Sequence, residues 1–237
     1  MKGLNNRMDE HLKQIARSYD RAIEQGQDND DYANLPASIT GHPYYPLFER
    51  MRETNTFSDS ARPEIAAYLA PEASMKFIDL GCCVNLMFAG YADWPSIYYG
   101  VDISPKTVDL LRGFAAKRQL PVGGLHCGSM HETPYEANFF DIGACIGSLE
   151  YFERDFVLAT LREFHRVMKP GGRFVLDVPN VGSPECVICG LIEAHLGRPD
   201  RFDLTVEGFE ALLTSLFTVH HKEVVGPMVQ YFLTCEK

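Results

Sequence analysis

Two aspartates stand at the ends of two β-favouring runs, at a spacing that suits one shared ligand. The first run, Lys76–Leu80, carries Asp79 and is followed at once by Gly81. The second run covers residues 96–101 and leads into Asp102, about 20 residues after the glycine, where an acidic side chain can accept hydrogen bonds from a ribose diol. Because glycine has no Cβ, a turn at Gly81 also lets a ligand approach the backbone closely. This pattern predicts a nucleoside-binding site.

The segments around this pattern alternate between strands and helices, which is typical of a doubly wound α/β sheet. Strands are predicted at residues 76–80, 96–101, 122–127, 139–148 and 173–178, and a closing hairpin at 217–225 and 229–236. We therefore predict a seven-stranded, mostly parallel sheet with an antiparallel last strand. The ligand of such a sheet lies at the carboxyl ends of the strands where the strand order reverses, which places Gly81, Asp102 and Ser129 around one crevice with residues 145–148.

Apolar residues at helical spacing, together with capping residues, predict the helices. One apolar face predicts an N-terminal helix that ends at Gly26, before the acidic residues 27–31. That face consists of Met8, Leu12, Ile15, Tyr19 and Ala22. Ser104 and Thr205 each mark the start of a later helix. The breakers at residues 169–172, Lys-Pro-Gly-Gly, are expected to end a helix before the fifth strand.

Three stretches, in this order, resemble the successive motifs of class I S-adenosylmethionine-dependent methyltransferases. They are residues 79–83 (Asp-Leu-Gly-Cys-Cys), 100–104 (Gly-Val-Asp-Ile-Ser) and 166–174 (Arg-Val-Met-Lys-Pro-Gly-Gly-Arg-Phe). The resemblance covers residues 60–237 and implies a Rossmann-like methyltransferase fold with S-adenosyl-L-methionine as cofactor. It also implies in-line methyl transfer to a small-molecule acceptor. The chain departs from the family's three-glycine turn at Cys83 and Asn85, and the Cβ of Cys83 is expected to crowd the methionine moiety.

The resemblance further implies which residues hold the cofactor. Tyr19 stands in a Ser-Tyr-Asp run similar to a Tyr-Asp pair in the helical caps of small-molecule methyltransferases. The family's adenine contacts come from the loop after the third strand, and residues 146–152 match the stretch beside the sulfonium and the acceptor. The implied cofactor-binding residues are Tyr19, Asp79, Gly81, Cys82, Cys83, Asp102, Ile103, Ser129, Met130, Cys145 and Ile146. Tyr151 stands where many relatives carry histidine and is the catalytic candidate, for contact with the methyl group or the acceptor.

We expect the chain to have two parts. Residues 1–59 are predicted to form an N-terminal helical cap, and residues 60–237 the Rossmann-like methyltransferase domain. Residues 181–203 are long for a strand-to-helix connection and are expected to cover the site as a lid-like insertion. The aromatic residues of the first part suit either a planar or apolar acceptor or the packing of the cap itself.

Composition excludes several classes of partner. The formal net charge is −10, and no run of lysine and arginine forms a basic stripe, so we predict no nucleic-acid partner. No apolar segment approaches the ~20 residues that span a bilayer, and the first ten residues are polar, so we predict a cytoplasmic protein without a membrane contact.

No metal site is predicted. The seven cysteines are irregularly spaced, which favours free thiols over disulfides. Cys186 and Cys189 have no second Cys pair nearby and are assigned to a buried helix rather than to a zinc site. His220 and His221 are neighbours on a predicted strand and are expected to point to opposite faces, so they cannot chelate one metal.

Two other functions share part of the pattern. A cofactor-binding but non-catalytic module is favoured by Cys83 and Asn85. A nicotinamide-dependent oxidoreductase shares the strand, glycine turn and distal acid, but a pyrophosphate needs the glycines that this turn lacks.

The acceptor is only partly constrained. The family's Asn/Asp-Pro-Pro-Tyr motif for amino groups of nucleobases and glutamine is absent, which favours a small molecule. A hydroxyl acceptor needs a base, whereas a neutral amine or a thiolate does not. Besides Tyr151, the candidate bases are His42, His131, Glu150 and His195.

Overall fold

The computed structural model of the chain describes residues 2–25, 32–54 and 62–237. Gly26 and residues 27–31, where we predict the end of the first helix, lie outside these ranges, as does the predicted boundary between residues 59 and 60. Within the described ranges, no helix combines the length and the apolar character needed to cross a membrane.

Seven strands of the described chain form one sheet. They are β1 (Lys76–Leu80), β2 (Ile97–Asp102), β3 (Val122–Cys127), β4 (Phe140–Cys145), β5 (Met168–Pro179), β6 (Phe217–Val225) and β7 (Met228–Cys235). Their order across the sheet is β3-β2-β1-β4-β5-β7-β6, and β7 is antiparallel to both of its neighbours. The order reverses between β1 and β4. The prediction of a doubly wound, mostly parallel α/β sheet is therefore confirmed.

Helices cover both faces of this sheet. They are α1 (Lys2–Gln25), α2 (Ala37–Thr40), α3 (Tyr45–Glu53), α4 (Pro63–Leu69), α5 (Asn85–Phe88), α6 (Pro105–Arg118), α7 (Arg154–Val167), α8 (Pro184–His195) and α9 (Val206–Leu213). α4 and α6 bury Leu69 and Leu111 in the core on one face. α7 and α9 bury Phe164 and Phe209 in the core on the other. Because both faces are packed, the strand ends that carry the candidate residues are held in place.

The two predicted helix caps are confirmed. Ser104 Oγ accepts a hydrogen bond from Thr107 N at 3.0 Å, and Thr205 Oγ1 accepts one from Gly208 N at 3.1 Å. Ser104 Oγ also donates to Asp20 Oδ1 of α1 at 2.6 Å. The N-terminal helix is therefore anchored beside the end of β2.

The breaker segment 169–172 lies inside β5, although the sequence predicts that it separates a helix from a strand. α7 ends at Val167, and Met168 already pairs with Phe140. The register then shifts before Arg173 pairs with Ile142, and Gly171 has a φ of +73°. The glycines therefore form an irregularity within the strand.

The helix predicted after Gly81 is only one turn long. α5 has four residues, Gly90 then takes a φ of +77°, and a 3₁₀ turn follows at Tyr91–Asp93. The backbone beside the end of β1 is therefore formed mainly by the turn at residues 81–84 and not by a long helix.

The two adjacent histidines lie on the same face of the hairpin, so the prediction of opposite faces is wrong. The pairing of β6 with β7 shifts between Val219 and His221, which adds one residue and changes the alternation. The rings of His220 and His221 lie 6.0 Å and 6.1 Å from the ring of Tyr68.

A third apolar cluster joins the N-terminal segment to residues 181–203. Ile39, Phe48 and Met51 pack against Ile188 and Ile192 of α8. The long connection thus contains a helix that packs on α2 and α3 beyond the strand ends.

Candidate functional site

A cavity of about 470 Å³ opens at the carboxyl ends of β1, β2 and β4, where the strand order reverses. This volume lies in the range of small-molecule and cofactor sites. The described residues that line it are Leu12, Ile15, Tyr19, Tyr32, Gly81, Cys83, Val84, Asn85, Val101, Asp102, Ile103, Gly128, Ser129, Met130, Ile146, Gly147, Ser148, Tyr151, Phe152, Phe156, Glu193 and Arg198. α1 therefore supplies one wall and the strand ends supply the other.

The turn after β1 needs a residue without a side chain at its first position. Gly81 has a φ of +69°, and a Cβ there would lie 2.1 Å from Ser148 Oγ and 2.7 Å from Ser148 Cβ. The backbone N–H groups of Gly81 and Cys82 both donate to Val101 O, at 2.9 Å and 3.0 Å. The turn is therefore bound to β2 on one side and packed against Ser148 on the other.

Cys83 takes the left-handed conformation, with a φ of +36°. Its backbone N–H donates to Asp102 Oδ2 at 2.8 Å, and such a charge-assisted bond stabilises a strained residue. Cysteine therefore occupies a position that glycine or asparagine usually fills.

Asp102 holds the cavity wall together and also faces the cavity. Its Oδ1 accepts a hydrogen bond from Ser104 N at 2.8 Å, while Oδ2 accepts the one from Cys83. The residue is only 8% exposed, and burial raises the pKa of its carboxyl above the ordinary value, against the lowering effect of these backbone bonds. Each carboxylate oxygen has two lone pairs, so Asp102 can still accept hydrogen bonds from a ligand.

A hydrogen-bonded network joins α1 to α8 and to the segment after it. Tyr19 Oη lies 3.1 Å from Tyr151 Oη, and Tyr151 Oη donates to Glu193 Oε2 at 3.4 Å. Arg198 Nε donates to the same Glu193 oxygen at 2.7 Å, and the Arg198 guanidinium lies 5.2 Å from the centre of the Tyr19 ring. Sequence reasoning missed Glu193 and Arg198; their one signal is that they lie in the long connection 181–203.

The hydroxyl of Tyr151 is buried and is not suited to act as a general base. Burial, followed by the charges of Tyr19, Glu150 and Glu193, raises the pKa of Tyr151 well above its usual range. Its hydroxyl therefore keeps its proton at neutral pH, which suits hydrogen bonding to a ligand rather than proton removal.

The structure brings most of the predicted site residues to the cavity. Tyr19, Gly81, Cys83, Asp102, Ile103, Ser129, Met130, Ile146 and Tyr151 all line it. Asp79, Cys82 and Cys145 do not, because their fully buried side chains point into the protein. Asp79 Oδ2 accepts a hydrogen bond from Tyr98 Oη at 2.9 Å, Cys82 packs in the core beneath α4 and α6, and Cys145 Sγ lies 3.9 Å from Met130 Sδ.

The histidines suggested as bases lie elsewhere. Within the described chain, His42, His131 and His195 line neither this cavity nor the smaller one beside it. His131 Nδ1 instead lies 2.6 Å from Ser129 Oγ, so it contacts a residue of the wall.

A second cavity, of about 180 Å³, adjoins the first. The two share Ile146, Gly147, Tyr151 and Glu193. The other described residues that line the second cavity are Arg62, Glu150, Asp177, Pro179, Cys186, Cys189, Asp200, Val225, Pro227 and Met228. Burial and then the charges of Asp177 and Asp200 raise the pKa of Glu150 well above its usual range. Burial and then the charge of Glu193 raise the pKa of Asp200 to about 7.

Asp200→Asn is expected to stabilise the protein at pH 8 by about 2 kcal/mol, or about 4–8 °C in Tm. The charged and titratable groups that line the cavity with Asp200 are Arg62, Glu150, Tyr151, Asp177, Cys186, Cys189 and Glu193. The folded pKa of Asp200 lies above the unfolded value. Ionisation of this side chain therefore costs no stability below about pH 4, and its destabilising effect grows as the pH rises towards 7.

Asparagine stays neutral throughout, so the gain in Tm should be less than half as large at pH 5. Thermal unfolding at both pH values measures it. Asp155→Asn, whose side chain is 76% exposed, is the matched control and should show no such pH-dependent gain. An equal gain at pH 5 and pH 8 would contradict the assignment.

Cys186 and Cys189 lie on α8 as half-buried free thiols. Burial raises the pKa of Cys186 to about 11 and raises that of Cys189 further. In the ranges that the structure describes, no group of three or more His, Cys, Asp or Glu residues is arranged to hold a metal ion.

Comparison with known proteins identifies a domain within the chain. Residues 78–176 match a family model described as a methyltransferase domain. A sterol 4-C-methyltransferase of Caenorhabditis elegans is 23% identical over 172 residues, which is 67% of this chain and 50% of that protein. A protein of Salinispora arenicola, described as a probable non-canonical nonribosomal peptide synthetase, is 26% identical over 179 residues, or 73% of this chain and 2% of that protein. The chain thus spans half or less of the length of these two relatives.

Solved structures share the fold at low identity. Geranyl diphosphate C-methyltransferase from Streptomyces coelicolor A3(2), in complex with Mg²⁺, geranyl diphosphate and S-adenosyl-L-homocysteine, superposes with a TM-score of 0.63. It is 14% identical, and the match covers 95% of this chain and 97% of that one. The [4+2]-cyclase SpnF has a TM-score of 0.57 at 18% identity, over 76% of this chain and 80% of that one. At these identities the likeness shows the fold alone, and the predicted Rossmann-like methyltransferase fold is confirmed.

Proposed function

We propose that residues 78–176, which match the methyltransferase-domain model, form an S-adenosylmethionine-dependent methyltransferase domain, and that the protein transfers a methyl group from S-adenosylmethionine to a small-molecule acceptor. The observation that carries the proposal is the pairing of Asp102 with the Gly81–Cys83 turn in one cavity wall. The sterol and geranyl diphosphate methyltransferases named above act on small molecules by their names, which supports a small acceptor.

The cavity suits an adenosyl ligand. Asp102 would accept hydrogen bonds from the ribose, and Ser129 and Met130 would contact the adenine. Gly147 leaves its part of the wall open, because a Cβ built there would have only Glu150 Oε1 nearby, at 3.9 Å. When bound, S-adenosylmethionine supplies a methyl group on a positively charged sulfur, and the acceptor's lone pair takes that methyl while the carbon–sulfur electron pair stays on sulfur.

The chain's own contribution is mainly positioning and exclusion of water. α1 covers the cavity and is attached by the Tyr19–Tyr151 contact and by the Ser104–Asp20 bond. We propose that residues 1–59 act as a cap and residues 181–203 as a lid, with Tyr151 orienting the acceptor through its hydroxyl. Holding two reactants in line is worth several kcal/mol without any further catalytic group.

A non-catalytic cofactor-binding protein is the second candidate. The observation that favours it is the Cys83 side chain in the cavity wall, at a position that the family fills with glycine. The [4+2]-cyclase among the similar structures also bears a name that describes no methyl transfer. Detection of a methylated product by mass spectrometry, from any acceptor in a broad panel, would eliminate this candidate.

Isothermal titration of the full chain is expected to show one-site binding of both S-adenosylmethionine and S-adenosylhomocysteine. At a ligand concentration of about 100 times Kd, each should raise the free energy of unfolding by about 2.7 kcal/mol. NAD is the control and should give neither heat nor a thermal shift. The absence of both signals with the two adenosyl ligands would overturn the proposed function.

A further inference from the structure

The second cavity adjoins the cavity assigned to the cofactor. It shares Ile146, Gly147, Tyr151 and Glu193 with the cavity assigned to the cofactor. The shared wall means that a molecule in the second cavity borders the contents of the first. In-line transfer requires this adjacency, because the reacting atoms must approach to about 3–3.5 Å.

Carboxylates outnumber cations in the wall of this cavity. Arg62 is the one lysine or arginine among the described residues that line it. Its Nη1 already donates to Asp177 Oδ2 at 3.4 Å and to Gln230 Oε1 at 3.0 Å. Glu193 is paired with Arg198. The remaining carboxylates, Glu150 and Asp200, form no ion pair with a cation of the described chain.

Each of these two carboxylates has a buried oxygen without a partner. Glu150 Oε2 and Asp200 Oδ1 are buried and form no hydrogen bond within the described part of the chain. Ionising a buried oxygen in this state is costly, and the two charges repel one another, so a bound cation favours the ionised form of both carboxyls. A ligand that supplies positive charge and N–H donors would stabilise this wall, because it would pair with both oxygens.

The chemistry of the wall selects among ligands. A protonated amine carries one positive charge and several N–H donors, which matches two acceptor oxygens. With both carboxyls ionised, the wall would repel a diphosphate or a carboxylate, and an apolar molecule would leave both oxygens unsatisfied. A single metal ion fits less well, because the described residues hold no cluster of three or more suitable side chains.

We propose that the second cavity is the acceptor site and that the acceptor is a small amine, whose ammonium group pairs with Glu150 and Asp200. This inference rests on the proposed methyl transfer. Because a protonated amine has no free lone pair, the methyl goes to a different atom of the acceptor, near the wall shared with the cofactor cavity. The carboxylates thus select and orient the acceptor rather than react.

The test uses probes of equal length that differ in charge. The full chain, saturated with S-adenosylhomocysteine, is titrated with 1,4-diaminobutane, 1,4-butanediol and succinate. The diamine is expected to bind at least about tenfold more tightly than the diol, and succinate is expected not to bind. Equal affinity for the diamine and the diol, or preferential binding of succinate, would overturn the inference.

Two variants locate the binding. Glu150→Gln and Asp200→Asn are each expected to weaken diamine binding at least about tenfold while changing S-adenosylhomocysteine affinity less than about twofold. Asp155→Asn removes one exposed charge outside the cavity and should change neither affinity. If Glu150→Gln fails to fold, Asp200→Asn still decides, because that variant is expected to be more stable than the parent. Unchanged diamine affinity in Asp200→Asn would overturn the inference.

The two proposals fail in different ways. Binding of S-adenosylhomocysteine without any preference for the diamine overturns the amine acceptor and leaves methyl transfer standing. A lack of S-adenosylhomocysteine binding overturns methyl transfer. Titration of the diamine without S-adenosylhomocysteine then decides whether the amine site exists.

Discussion

Gly81→Ala is expected to weaken S-adenosylhomocysteine binding by about 100-fold and to lower the free energy of unfolding by about 2–5 kcal/mol. The new Cβ would lie 2.7 Å from Ser148 Cβ, a distance that rotation of the serine hydroxyl cannot relieve. The turn must therefore move, and it carries the Cys83 N–H that bonds to Asp102. Denaturant unfolding and titration calorimetry measure the two effects.

Gly171→Ala is the matched control. Gly171 also has a positive φ, +73°, but no atom lies within 4 Å of a Cβ built there. Gly171→Ala should lower the free energy of unfolding by about 1 kcal/mol, from backbone strain alone, and should leave ligand affinity unchanged. Adding Ser148→Gly to Gly81→Ala removes the clashing side chain and should restore part of the stability. Equal losses in Gly81→Ala and Gly171→Ala would show that the contact with Ser148 does not matter.

Asp102→Ala is expected to weaken S-adenosylhomocysteine binding by about 1.5–3 kcal/mol. The sequence alone predicts that Tm stays nearly unchanged, because it assigns Asp102 only to the ligand. The structure corrects that expectation. Two backbone N–H groups, those of Cys83 and Ser104, lose their acceptor, and each such loss costs about 1–3 kcal/mol. Tm should therefore fall as well.

A double-mutant cycle separates the two roles of Asp102. The parent and Asp102→Ala are each titrated, at low temperature, with S-adenosylhomocysteine and with its 2′,3′-dideoxy analogue. A direct bond to the ribose predicts a coupling energy of about 1.5–3 kcal/mol between the side chain and the hydroxyls. A coupling near zero would mean that Asp102 acts only through the turn. The weaker binding of the dideoxy analogue to the parent tests the ribose contact even if the variant is unstable.

The N-terminal segment illustrates how far sequence reasoning reaches. Helical periodicity predicts an amphipathic helix with Tyr19 on its apolar face, and α1 confirms the helix. Periodicity cannot identify the partner of that face. The contact of Tyr19 with Tyr151, 132 residues away, exists only because the fold brings α1 over the ends of the strands.

The ends of the strands show where the prediction of cofactor-binding residues fails. The resemblance implies that Asp79, Gly81, Cys82, Cys83, Cys145 and Ile146 hold the cofactor, yet Asp79, Cys82 and Cys145 are buried away from the cavity. Successive side chains of a strand point to opposite faces, and turn residues follow the backbone angles of the turn. Two neighbouring residues can therefore differ in whether the side chain lines the cavity or lies in the core.

By itself, the sequence determined the doubly wound sheet, the caps at Ser104 and Thr205, and the pairing of a glycine turn with Asp102, because periodicity, capping and turn chemistry are local properties. Only the tertiary structure decided that Glu150, Asp177, Glu193 and Asp200 share one small cavity beside the larger one. These residues come from separate segments, and their partners and pKa values depend on burial and on neighbours that no local pattern records.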